Sequence, residues 1–327
     1  MHDTPEARFA LAAVGEAALL ARRVQAEMVT AALAKGDKSP VTVGDFAAQA
    51  VVGKRLSESG LPCGVLVGEE SSADLRADSA TLDQVTHFVR TLYAHATPGD
   101  VCRWIDVGAA DPGEAYWTLD PIDGTKGFLR GDQYAVALAL VENGQVSLGV
   151  LGCPELQEAR VPAGGAAGSL LLAVRGRGAA WRPLTGEGDW APLAVSPTDD
   201  PSQARVLRSV EKGHTDVGAI DHLATSMGVA VDPVGMDSQA KYAVLAAGGG
   251  EMLVRLLSAD RPDYREKVWD QAAGSIVVEE AGGRVTDLEG QPLDFSQGRT
   301  LAKNRGVIAT NGHLHEAALA ALKEIGA

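Results

Sequence analysis

Cysteine is scarce: the 327 residues hold three, Cys63, Cys102 and Cys153, far apart, odd in number and never in a CxxC spacing. That argues against a disulfide framework or a zinc site and fits free thiols in a reducing compartment. Long apolar runs are missing too, since no window approaches the roughly 20 residues a membrane-spanning helix needs. The opening, Met1-His2-Asp3-Thr4-Pro5-Glu6, lacks a basic stretch followed by an apolar one, so neither secretion nor membrane insertion is expected. The expected location is cytoplasmic, or an organelle stroma or matrix if a transit peptide has been removed. Bases are outnumbered, 29 Lys and Arg against 43 Asp and Glu, for a formal charge of −14. Such a charge repels polyanions, and a nucleic-acid surface held by counterion release is not expected. Internal repeats and low-complexity tracts longer than a loop are also missing.

What is present is ample core material, 46% hydrophobic residues, enough for one large unit or two closely packed ones. From Pro5 to about Leu33, Phe9, Ala13, Leu19 and Leu20 stand among alanines and scattered charges as on an amphipathic helix. After a break at Lys35 to Pro40 a second helix is expected from Thr42, as N-cap, to Glu58. Cys63 to Val67 reads as a short buried strand ending at Gly68-Glu69-Glu70, and Tyr116 to Leu119 as another ending at Asp120. Tyr134 to Val141 and Val146 to Leu151 flank Glu142-Asn143-Gly144-Gln145, whose Asn-Gly pair signals a hairpin. The Gly- and Pro-rich stretch from Pro162 to Pro201 suggests a subdomain boundary, and we expect a first half over 1–160 and a second over 161–327. Strand-like and helix-like segments then alternate: Arg205 to Ser209, Asp216 to Met227, Ala240 to Ala247, Met252 to Leu257 and Asp270 to Ala281. Gly282-Gly283 suits a helix C-cap.

The acids stand at element ends. In Asp120-Pro121-Ile122-Asp123 the proline is expected to break the strand and turn the chain, so that both carboxylates converge while the Ile122 carbonyl stays free. Gly124-Thr125-Lys126-Gly127 would then expose backbone N–H groups in the manner of a phosphate cradle. A hard oxygen-seeking cation such as magnesium needs a few such carboxylates together with a phosphate. Each piece has a plainer reading. Asp120 to Gly124 could be turn chemistry alone, Glu69-Glu70 two solvated acids, Asp270 a helix N-cap, and Asp45 the acidic partner of a Thr42 cap.

Taken in order, Asp45, Glu69-Glu70, Asp120-Pro121-Ile122-Asp123-Gly124-Thr125 and Trp269-Asp270 followed by Gly282-Gly283 resemble the signature of the lithium-sensitive, magnesium-dependent phosphomonoesterases. That superfamily includes inositol monophosphatase and fructose-1,6-bisphosphatase. The resemblance implies an α+β fold layered αβαβα, with mixed and antiparallel sheets between helix layers. It implies two to three Mg²⁺ ions: one held by Glu69, Asp120 and the Ile122 carbonyl, a second by Asp120, Asp123 and Asp270, and a third, weaker one near Glu69 and Asp45. It also implies inhibition by Li⁺. Thr125 paired with Asp45 would orient and deprotonate a water, and the Gly124 and Thr125 amides would hold phosphate. Glu70 is a secondary acid.

Within that superfamily the chain is similar to the 3′(2′),5′-bisphosphate nucleotidases. The residues carrying this are Lys38 to Gln49, Lys126-Gly127-Phe128-Leu129-Arg130-Gly131, Gly149 to Pro154, Ser209 to His214 and Met236 to Tyr242. The implied substrate is adenosine 3′,5′-bisphosphate, with phosphoadenosine phosphosulfate a further possibility, and the implied nucleotide contacts are His214, Ser238, Lys241 and Arg255. Arg and Lys suit the phosphate that is retained, and His can pair or stack with a base. The polar loop Ser258 to Arg265 departs from the pattern and loosens the placing of Arg255. A monomer acting on a small molecule is expected. The alternatives left open are an inositol polyphosphate 1-phosphatase, a broader sugar-phosphate phosphatase and an inactive nucleotide sensor.

Overall fold

The computed structural model describes residues 1–29, 39–186, 188–210, 217–256 and 263–326. Helix α1 (Pro5–Val24) starts where the Thr4 hydroxyl accepts from the Ala7 amide at 3.2 Å, with Pro5 in the first turn. Its buried stripe runs through Ala10, Val14, Ala17, Leu20 and Ala21. Leu19, expected on that stripe, is 39% exposed, because one residue of helix rotates it about 100° away from Leu20. A π turn, Gln25–Val29, follows. Helix α2 (Ser39–Glu58) begins before Thr42, which therefore lies inside the helix and is not its N-cap. Pro40 is tolerated in that first turn because its missing N–H would have had no partner there.

Next come β1 (Leu66–Gly68) and three helices, α3 (Ser72–Ala77), α4 (Ser79–Arg90) and α5 (Pro98–Ile105). Ser71, Asp78 and Thr97 cap these helices, Thr97 with Asp100 in a reciprocal capping box. Then follow β2 (Ala115–Asp123), α6 (Thr125–Arg130), β3 (Ala135–Glu142) and β4 (Gln145–Cys153). The expected hairpin joins β3 to β4, with Asn143 at φ 52° and Gly144 at φ 75°, the left-handed pair that an Asn-Gly turn needs. A small ribbon, β5 (Leu156–Gln157) with β6 (Val161–Pro162), precedes β7 (Ser169–Val174), β8 (Ala179–Pro183) and β9 (Ala191–Pro192). The second half carries β10 (Val206–Arg208), α7 (Val217–Ser226), β11 (Val234–Gly235), α8 (Ala240–Ala246), β12 (Met252–Arg255) and α9 (Ala272–Glu280). It closes with β13 (Arg284–Thr286), β14 (Val307–Thr310) and α10 (His315–Ile325). Gly282, at φ 94°, and Gly283 do end α9, the Gly283 amide reaching back to the Val278 carbonyl at 2.9 Å.

The first sheet has the order β1-β2-β3-β4-β7-β8-β9, antiparallel except for β1 beside β2. Because β4 pairs with β7, this sheet runs past residue 160 and ends at Pro192. The second sheet has the order β11-β10-β12-β14-β13 and is mixed. Trp117, Leu119, Leu138 and Val150 pack one face of the first sheet against α1 and α2. Tyr116, Ala137, Ala139 and Leu151 turn the other face to α8 and α9, which also meet Leu207, Leu253 and Ala309 of the second sheet. The far face of that sheet, through Val206, Met252 and Ile308, packs against α7 and α10. The order is helices, sheet, helices, sheet, helices, the layered αβαβα α+β fold that was expected. Among the described residues no helix is long and apolar enough to cross a membrane.

Candidate active site

The two aspartates of β2 converge for a reason other than the expected one. Pro121 does not end the strand, which continues through Asp123, but the register slips: Asp120 faces Ala137 while Asp123 faces Ala135. Three steps on β2 match two on β3, so one extra residue is bulged out. Residues three apart on a regular strand point to opposite faces; the bulge restores parity and sends both carboxylates to the side of Ala135 and Ala137, toward the middle helix layer. A bulge is also where a strand can tolerate a proline. Ile122 goes the other way, into the core under α2.

Gly124 follows at φ 92° as the N-cap of α6, leaving that helix with no side-chain cap. A Cβ there would stand 2.7 Å from the Ser238 Cβ, so glycine is demanded both by backbone and by space. Ser238 is itself left-handed, at φ 66°, and the next amide, Gln239, donates to Asp123 Oδ2 at 2.6 Å. Gln239 further donates from Nε2 to the Trp269 carbonyl (3.0 Å) and accepts from the Gly274 amide (2.9 Å). It thereby joins Asp123 to the start of α9. That helix begins at Ala272 with Gln271 as N-cap, so Asp270 is not a capping residue. Arg130, at the end of α6, pairs with Asp237 and steadies the same loop from the first half.

These elements enclose a cavity of about 300 Å³, with Glu69, Asp120, Asp123 and Asp270 among its lining together with Ile122, Gly124, Thr125, Ser238, Lys241 and Arg255. The acids crowd one another. Burial first, then Glu69, Asp123, Asp270 and Asp45, hold the Asp120 carboxyl well above the usual range. Asp270 is raised by burial against the pull of Arg255. Glu69 is solvent-exposed at the cavity mouth yet hemmed in by protein, and burial with Glu70 and Asp123 pushes it up to about 7. Asp123 is raised by burial and drawn back by Lys241, Arg255 and its bond from Gln239. Two cations line the same cavity. Lys241 is buried, which lowers it to about 8 against the attraction of Asp123, so it stays charged at neutral pH. Arg255 is ion-paired with buried Glu266 at 2.9 Å.

Asp45 and Glu70 do not line this cavity. Asp45 lies behind it in the second turn of α2, 6% exposed, raised well above the usual range by burial, Glu70 and Glu69. It does not serve a cap of α2, which starts six residues earlier. Its Oδ1 is buried with no protein partner, so the expected pairing with Thr125 is not made through that atom. Glu70 is fixed by its backbone, exchanging bonds of 3.0 and 2.7 Å with the Gln49 amide. Its carboxyl is raised by burial and Asp74. His214 lies outside the described residues, as does Lys38 and part of the polar loop before Trp269. Gln239, Tyr264, Lys267 and Gln271 line the cavity and Glu266 holds Arg255 from behind it, and motif reading missed all of them. Gln239 stood inside the Met236 to Tyr242 segment, and Lys267 stood two residues before Trp269.

The residues fit a hard divalent cation. All the convergent donors are oxygens, and Asp120 Oδ1 is buried with no protein partner, as is Asp45 Oδ1. Among the described residues no three acidic, His or Cys side chains are gathered closely enough to hold a metal ion as they stand. The acids instead face an open cavity, as magnesium, which keeps waters and shares phosphate oxygens, requires.

The chain is 40% identical over 350 residues to 3′(2′),5′-bisphosphate nucleotidase 1 of Candida albicans, covering 98% of this chain and 95% of that one. It is 41% identical over 324 residues to 3′(2′),5′-bisphosphate nucleotidase of Schizosaccharomyces pombe, covering 93% and 91%. The crystal structure of CysQ from Bacteroides thetaiotaomicron superposes with a TM-score of 0.62 at 20% identity, over 94% of this chain and 97% of that one, which is a likeness of fold. The model of the inositol monophosphatase family matches residues 3–327, and the chain belongs to that family.

Proposed function

We propose that this protein hydrolyses the 3′-phosphate of adenosine 3′,5′-bisphosphate, giving AMP and phosphate, with magnesium as cofactor. The observation that carries this is one cavity lined both by the carboxylates Glu69, Asp120, Asp123 and Asp270 and by the cations Lys241 and Arg255, in a chain about two-fifths identical to proteins named for that activity. The family is generally magnesium-dependent and lithium-sensitive. Glu69, Asp120, Asp123, Asp270 and the Ile122 carbonyl would hold two or three ions. When bound, magnesium supplies positive charge against the phosphoryl oxygens and acidifies a water.

The protein's own groups do the rest. The open N-terminal turn of α6 presents the Gly124 and Thr125 amides to the scissile phosphate. Asp45, a buried carboxyl whose Oδ1 has no protein partner, would take a proton from the attacking water, with Thr125 of the cavity lining as relay. Lys241 and Arg255 bind the phosphate that is not cleaved, Arg255 held in orientation by Glu266. Ser238 borders the scissile end through its contact with Gly124. The test is phosphate release from a panel of adenosine 3′,5′-bisphosphate, AMP and inositol phosphates, with and without Mg²⁺ and Li⁺. Mg²⁺-dependent, Li⁺-suppressed release from the bisphosphate is expected; preference for an inositol phosphate, or tight nucleotide binding with no release, would refute it.

A further inference from the structure

Glu69 and Asp270 come from opposite parts of the fold, one just after the edge strand β1 and the other just before α9. Like charges on separate elements drift apart unless something ties the elements together. One side chain does. Arg299, in the loop between β13 and β14, donates from Nη2 to the carbonyl of Gly68, the residue before Glu69. Its Nη1 reaches the Ala110 carbonyl at 3.2 Å, beside the bridge that Ala109 makes with Val67 of β1. The guanidinium lies 4.9 Å from the ring centre of Trp269, the residue before Asp270.

The Arg299 backbone belongs to the same tie. Its carbonyl accepts from the Val268 amide at 3.2 Å, and the Leu301 amide donates to the Glu266 carbonyl at 2.9 Å. The strip 299–301 is thus laced to 266–268, and the Arg299 side chain reaches from that strip across to β1. A planar fork that serves two carbonyls and stacks on an indole is something arginine offers and lysine does not. Neither Arg299 nor its partners Gly68 and Ala110 line the cavity.

We propose that Arg299 is a positioning residue that fixes the spacing of Glu69 and Asp270 across the seam between β1 and α9, and thereby sets the affinity of the site for divalent cations. This rests on the functional reading above. Residues that hold ligands in place from outside the coordination sphere typically affect metal affinity by about 10–100-fold.

The experiment compares wild type with Arg299→Met and Arg299→Lys. Mn²⁺ binding without nucleotide is followed by the resonance of free Mn²⁺, and phosphate release is titrated with Mg²⁺. Arg299→Met is expected to weaken Mn²⁺ binding by about tenfold or more and to raise the half-saturating Mg²⁺ in parallel. The KM for nucleotide at saturating Mg²⁺ should stay within about twofold, since the nucleotide contacts are elsewhere. Arg299→Lys, keeping charge but losing the fork, falls between. Wild-type Mn²⁺ affinity in both variants, or a loss confined to KM, overturns the proposal; should Arg299→Met fail to fold, Arg299→Lys decides by the same criteria. Wild-type protein that binds no Mn²⁺ would instead overturn the functional reading, and that is seen before any variant is made.

Discussion

Asp123 is held by one short bond from the Gln239 amide and faces Lys241 and Arg255. Asp123→Asn keeps the shape and the hydrogen bond but halves what the site offers a cation at that point. Phosphate release should fall to background while the thermal unfolding transition stays within a few degrees of wild type; near-normal turnover would remove Asp123 from the site. Gly124→Ala makes the opposite test, of backbone and not of charge. Its φ of 92° and the 2.7 Å approach to Ser238 leave a methyl no room. A loss of about 1–3 kcal/mol in urea unfolding, together with a collapse of turnover, is the expected result. Single residues were the most legible level of the sequence. Asp120, Asp123, Glu69 and Asp270 were named from their order along the chain, and all four line one cavity, since short patterns of carboxylate, proline and glycine carry their chemistry locally. The bulge that brings Asp120 and Asp123 to one face was not legible, because it is a count against β3, and nothing within β2 reports the partner's register. Leu19 was misplaced for a similar reason: helical period was visible, but the sheet chooses the face.

At the scale of elements, β13, β14 and α10 meet at His315. The ring is fully buried, with the Thr286 hydroxyl of β13 and the Thr310 hydroxyl of β14 each 3.0 Å from a ring nitrogen. Burial, with Arg284 beside it, lowers the imidazole from 6.5 to about 4. The folded protein therefore keeps His315 neutral where the unfolded chain would protonate it. Its contribution to stability is complete above about pH 6.5 and is lost as pH falls from there toward about 4. Urea midpoints measured from pH 7 to pH 4 should show a slope that His315→Gln flattens; parallel slopes in the two proteins would assign the acid sensitivity elsewhere. Nothing in the sequence marked His315, which stands among alanines at a helix start with its partners on two strands. Elements as such were more readable. The Asn143-Gly144 hairpin and the Gly282-Gly283 stop are local chemistry and were found; the start of α2 and the extent of the first sheet depend on distant pairing and were not.

For the molecule as a whole, the site lies where the two sheets and the helix layer between them meet. Its acids are raised there first by burial and then by one another. Divalent cation should therefore stabilise the fold as well as serve the reaction. Adding millimolar Mg²⁺ to protein treated with EDTA is expected to raise the melting temperature by several degrees, through binding to the folded state alone. An unchanged melting curve would mean that the acids do not act together.

The outer rims of the sheets are short. The first sheet ends in β1, three residues long, and in β9, two residues long and finishing in Pro192. The second ends in β11, of two residues, and β13, of three. Strands this short offer a neighbouring chain little backbone to zip against, and a proline removes a donor from what remains. The sheet margins thus offer little on which a fibril could be templated.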